Sequence, residues 1–144
     1  MTPIKDVLAQ IGEARLFTTG YTGKKIIELL PLLEFHQAIL VDVRFAARSR
    51  VPQWNREHLQ ELLGGRYRHV APLGNREYKT GGIKISNLEL GLRIVESWKT
   101  SVVLMCGCGE LAGCHRNLIA FELRRRGRTV EELESWKLRE ATLF

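Results

Sequence analysis

Two apolar runs constrain the fold more than anything else in this sequence: residues 38–43 (AILVDV) and 101–106 (SVVLMC). Each is nearly continuous and rich in β-branched residues, the pattern of a strand covered on both faces. Stretches with helical periodicity lie between and around them, so strands alternate with helices, which implies a parallel sheet clothed on both sides. Shorter strands are predicted at 15–19, 67–70 and 129–133. Helices are predicted at 24–36 (broken or kinked at Pro31), from an Asn55 cap to Gly64-Gly65, after a Ser86 cap with Leu88, Leu92 and Val95 on one face, and at 115–126 closed by Gly127. A further helix is expected near the start, where Thr2 caps, Pro3 leads and Ile4, Val7, Leu8 and Ile11 share a face before Gly12. The tail, 134–144, has only a weak helical pattern. The expected architecture is α/β: one three-layer domain over 1–144, with a mostly parallel central sheet of about five strands and helices on both faces.

The chain has 144 residues, enough for one core and too few for two full domains. Its 44% hydrophobic and 26% charged residues argue against disorder. No apolar run approaches the ~18 residues of a membrane span, and the first residues lack the apolar core of a signal peptide. Three cysteines, Cys106, Cys108 and Cys114, fall within one short segment, a poor disulfide framework that points to a reducing, cytoplasmic setting. The net charge of +6 is unevenly spread. Residues 41–85 hold nine basic and four acidic side chains and carry nearly all the excess, so an anionic partner would be drawn there.

In a doubly covered parallel sheet, ligands bind beyond the carboxyl ends of the strands. Four predicted turns open onto that edge: 19–23 with Gly20 and Tyr21, 42–44 with Asp42 and Arg44, 72–75 with Asn75, and 106–110 with Cys106 and Glu110. The segment CGCGELAGCHR combines glycines at 107, 109 and 113 with a helix start, where unpaired N–H groups favour an anion. Arg116 in the first turn offers a fork of donors, a thiol at Cys114 would have a lowered pKa, and His115 can relay a proton. The plainer alternative is that Cys106 is a small buried residue at a strand end. A P-loop is excluded because no lysine follows the glycines.

The ligand spacing disfavours zinc. Cys106, Cys108, Cys114 and His115 are four potential ligands, but adjacent Cys114 and His115 are poorly placed to share one tetrahedral ion, and paired C-x2-C spacing is absent. The expectation is therefore no metal and no cofactor. Upstream, Arg44, Arg48 and Arg50 followed by Trp54 suit a phosphate backbone and a stacked base, the alternative being a solvated loop anchored by a buried tryptophan. Residues 67–82 read as a mobile flap over the edge. The arginines at 124–128 are assigned to the end of a helix, where cations complement the dipole.

The pieces Phe17-Thr18-Thr19-Gly20-Tyr21, Val41-Asp42-Val43-Arg44, Pro52-Gln53-Trp54-Asn55, Leu73-Gly74-Asn75 and Cys114-His115-Arg116 followed by Gly127 occur in that order. Together they resemble the bacterial and archaeal family called domain of unknown function 488, over about 15–133. The resemblance implies a compact α/β core and no established activity; it leaves 1–14 and 134–144 outside. Where that family usually reads Cys-Ala-Glu, this chain has Cys106-Gly107-Cys108-Gly109-Glu110. A looser analogy is to rhodanese-type sulfur-transfer domains, which also pair Asp-x-Arg with a cysteine-bearing turn.

The leading expectation is binding of a phosphate-bearing ligand, a nucleotide or nucleic acid. In it, Arg44 and Arg116 grip the anion, with Gly20, Tyr21, Arg48, Arg50, Trp54 and Asn75 around it, and Asp42 or Glu110 handles a proton. The alternatives are thiol-dependent sulfur transfer through Cys106 or Cys114 with His115, or a non-catalytic interaction module. No membrane partner is expected.

Overall fold

The computed structural model describes residues 14–108 and 114–138. The predicted N-terminal helix, Glu110 and the last six residues of the tail lie outside that range. Five strands form one sheet: β1 (Leu16–Gly20), β2 (Ala38–Asp42), β3 (Tyr67–His69), β4 (Ser101–Cys106) and β5 (Val130–Glu132). Their order is β3-β2-β4-β1-β5, and every pairing is parallel. Four α-helices connect them: α1 (Leu29–His36), α2 (Arg56–Leu63), α3 (Leu88–Ser97) and α4 (His115–Arg125).

The three layers follow from side-chain alternation along the strands. In β4, Val102, Leu104 and Cys106 enter one core with Leu92 and Val95 of α3 and Ile119, Ala120 and Leu123 of α4. Val103 and Met105 enter the other, with Leu29, Leu32 and Leu33 of α1 and Leu59 and Leu63 of α2. β1 splits likewise, Leu16 to the first core and Phe17 to the second. Both faces of the central strands are therefore dry, which explains why their sequences show no polar alternation.

Several local expectations shift. Pro31 does not kink a helix. The segment opens as a 3-10 turn, Ile26–Glu28, and α1 begins at Leu29, so Pro31 sits in a first turn whose N–H groups have no intrahelical partner to lose. Asn87, not Ser86, caps α3, its side chain accepting from the Leu90 N–H. Asn55 occupies the N-cap position of α2, but its side chain accepts from the Ser49 N–H and so braces the arginine-bearing loop. The described part of the tail, through residue 138, forms no helix; it lies across the second core.

Trp136 anchors that tail. It is buried, meets Trp54 edge-on at 5.7 Å, and donates its indole N–H to Thr19 Oγ1 at 2.8 Å. Residues beyond β5 thus complete the core beneath β1. Trp136→Ala should cost about 3–5 kcal/mol, the range for emptying a large core position. Urea unfolding followed by circular dichroism measures it, and an unchanged midpoint would show that the tail is not part of the folded unit.

Candidate functional site

The carboxyl ends of the three central strands, β2, β4 and β1, converge at one rim. Gly20 pairs with Cys106 and Asp42 with Met105, and the chain continues in register as the Tyr21 N–H bonds the Cys106 carbonyl at 3.0 Å and the Val43 N–H bonds the Met105 carbonyl at 2.9 Å. A cavity of about 430 Å³ opens above them. Its lining combines Arg44, Arg48, His115 and Asn75 with the apolar faces of Tyr21, Phe45, Tyr78 and Ile83, and Cys106, Gly107 and Cys108 also border it.

On the β2 side, Asp42 is completely buried and its carboxylate is saturated. Oδ1 accepts from the Arg44 backbone N–H and from Nε; Oδ2 accepts from Arg44 Nη2 at 2.7 Å and from the Tyr67 hydroxyl at 2.6 Å. Burial, reinforced by the Asp42 charge, pushes the Tyr67 phenol far up, so it remains a donor at any physiological pH. Arg44 Nη1 donates to the Tyr21 hydroxyl and to the Arg48 carbonyl. Asp42 therefore touches no cavity ligand; its part is to hold Arg44 in the wall. The Arg48 side chain, by contrast, is exposed at the mouth and has no ion-pair partner among the described residues.

On the α4 side, Arg116 is entirely buried. It clasps Glu132 of β5 through Nε at 3.1 Å and Nη2 at 2.9 Å, while Nη1 reaches Cys106 Sγ and the Cys108 carbonyl, each at 3.0 Å. Arg116, expected to grip an anion, does not border the cavity, and the partners of its Nε, Nη1 and Nη2 lie inside the protein. His115 borders the cavity and directs Nε2 at the Val43 carbonyl, 2.7 Å away. A carbonyl only accepts, so Nε2 carries a hydrogen; Nδ1 lies 3.8 Å from Cys114 Sγ.

The cysteines are all free thiols. Cys106 and Cys114 are buried with their sulfurs 2.7 Å apart, and Cys108 is exposed. Hydrogen bonds with Cys108 and Cys114, then burial, push the Cys106 thiol up. Hydrogen bonds from Cys106 and Cys108 push the Cys114 thiol down.

Close backbone packing explains two motif glycines. A Cβ on Gly20 would overlap the Cys108 carbonyl oxygen, so Gly20 is a packing surface for the cysteine turn rather than a ligand contact. A Cβ on Gly74 would overlap the backbone of Phe45, which crosses over it directly after Arg44. Asn75, next in sequence, accepts from the Glu77 and Lys84 N–H groups and donates to the Gly82 carbonyl. It ties the 76–84 segment into a closed loop whose Gly81, Gly82 and Ile83 overhang the cavity.

Trp54 is buried and stacks on Tyr21 at 4.5 Å, so it anchors the core instead of offering a face to a base. Arg50 is exposed but does not line the cavity. The arginines at 124–128 serve the helix end: Arg125 and Arg126 pair with Glu122, Arg126 also with Glu89, and Arg128 with Glu96. Nothing in the residue order marks Glu132 and Tyr67, the two partners that fix Arg116 and Asp42; they stand on β5 and β3. Of the apolar lining, Tyr78 falls within the flap predicted over the edge, whereas Phe45 and Ile83 carry no signal in the sequence.

Residues 23–84 match the family model described as Domain of unknown function DUF488. The match takes in β2, the Arg44 loop, Asn75 and the overhanging loop; β1 and the cysteine segment lie outside it. No curated protein and no solved structure matches the chain. Among the described residues, no helix is long and apolar enough to cross a membrane.

Breaking the Asp42 cluster tests the architecture of the wall. Asp42→Asn leaves the Arg44 cation buried without its counter-charge and should cost about 3–5 kcal/mol. Denaturant unfolding at neutral pH reads this, and a loss below about 1 kcal/mol would mean that Arg44 can turn out to solvent.

Proposed function

We propose that this chain, a member of the DUF488 family through residues 23–84, binds a small phosphate-bearing ligand of about nucleotide size in the cavity at the carboxyl edge of its sheet. The observation that carries this reading is the lining itself: an arginine fixed in the wall, a second arginine unpaired at the mouth, and apolar and aromatic walls between them. Its volume of about 430 Å³ falls within the roughly 300–1,000 Å³ of small-molecule sites. Arg48 supplies an exposed cation, and Arg76, Lys79 and Lys84 on the overhanging loop add positive potential. Tyr21, Phe45 and Tyr78 offer apolar surface to the uncharged part of the ligand.

A small molecule is favoured over a nucleic-acid strand because the aromatic that would have stacked successive bases, Trp54, is inside the core. Sulfur transfer is the weaker reading. It needs an accessible nucleophile, and the two thiols it would use, Cys106 and Cys114, are both buried.

Calorimetric titration with nucleoside mono-, di- and triphosphates, sugar phosphates and inorganic phosphate, at two salt concentrations, tests the proposal. At least one should bind, more weakly at higher salt as expected for exposed cations. Arg48→Ala should weaken that binding about tenfold, the size of one charge-assisted hydrogen bond. Binding of none of these compounds, binding of oligonucleotides alone, or an unaltered Arg48→Ala variant would overturn it.

A further inference from the structure

In sequence, His115 stands as the fourth potential zinc ligand beside the three cysteines. In the folded protein the close group is instead the three thiols. Cys106 arrives from the end of β4, Cys108 from the turn after it and Cys114 from the residue before α4, and their sulfurs all lie within 4.8 Å of one another. We propose that Cys106, Cys108 and Cys114 form a three-thiolate site for a thiophilic metal ion of the zinc class, seated at the floor of the ligand cavity.

Four observations support it. Soft thiolates select Zn²⁺ and similar ions over hard cations. Catalytic zinc sites take three protein ligands and leave a fourth position for water or substrate; Cys106 and Cys108 border the cavity, so an ion among the three sulfurs sits beside its interior. The turn is held for this purpose by neighbours rather than by the sulfurs themselves: Arg116 Nη1 grips the Cys108 carbonyl, and the bare Cα face of Gly20 packs against the same group. Finally, Arg116 also donates to Cys106 Sγ while its own charge is balanced by Glu132, which gives the outer-shell support typical of metal–thiolate ligands without adding an uncompensated cation.

With Zn–S bonds of about 2.3 Å, sulfurs on a tetrahedron stand about 3.8 Å apart. The Cys106–Cys114 separation of 2.7 Å must therefore widen by about 1 Å when the ion enters. No atom changes oxidation state in that step: each thiol releases a proton to solvent as its metal–sulfur bond forms.

The test uses the whole chain, reduced, with Zn²⁺ and with Co²⁺ as a spectroscopic probe and no organic ligand present, so its outcome is separate from the phosphate question. One Zn²⁺ per chain should survive dialysis. Co²⁺ should produce the near-ultraviolet thiolate-to-metal band together with the strong visible bands of a four-coordinate ion. Cys108→Ser is the informative variant, since that side chain is exposed and its loss leaves the core intact. It should bind Co²⁺ at least tenfold more weakly and show a diminished sulfur band. Prior oxidation with diamide, which joins two thiols, should abolish binding. Absence of the sulfur band in reduced protein, or a folded Cys108→Ser variant that binds Co²⁺ as tightly as the parent, would overturn the proposal.

Discussion

The arrangement of the rim depends on one buried guanidinium. Arg116 sits in the first turn of α4, where a cation opposes the helix dipole, and it is fully enclosed. Such a charge is tolerated only when its hydrogen bonds are satisfied inside the protein. Glu132 takes two of them from β5, the edge strand beyond β1, while Cys106 Sγ and the Cys108 carbonyl take others. One side chain thereby ties the last strand, the end of the central strand and the cysteine turn to the start of a helix. The local conflict with the dipole is the sign of a tertiary commitment, not of a free anion grip.

The opposite wall repeats the logic with a different cation. Asp42 ends β2 inside the sheet, and its buried charge is offset by Arg44 and satisfied further by Tyr67 from β3. The aspartate fixes the arginine, and the arginine in turn orients Tyr21 and the backbone at Arg48. Two charged residues that look like an acid and an anion ligand are thus mutually engaged, whereas Arg48 at the mouth has no ion-pair partner among the described residues. Walls fixed by buried ion pairs, with an exposed cation at the entrance, are in keeping with the proposed small anionic ligand.

Much of the fold is legible from pattern. The continuous apolar character of residues 38–43 and 101–106 reports strands dry on both faces, and parallel pairing follows because helices intervene. Helix ends were less readable. Pro31 looked like a break because a propensity argument cannot see that the helix begins two residues earlier; Ser86 and Asn87 are both plausible caps, and only backbone geometry selects between them. Asn75 was readable as special but not as the brace of a loop, since its partners lie seven and nine residues on.

By itself, the sequence determined the doubly covered parallel sheet, the rim at which its unusual residues gather, and the concentration of positive charge in the middle third. Those are consequences of periodicity and composition, which are local. Tertiary structure alone decided which charged groups are free and which are spent. Glu132 reaches Arg116 and Tyr67 reaches Asp42 only because parallel strands distant in the chain lie side by side, and Cys108 joins Cys106 and Cys114 only because Gly20 lets the turn approach β1. Hydrogen bonds and close contacts between remote segments have no signature in residue order, so the chemistry of this rim becomes visible only when the chain is folded.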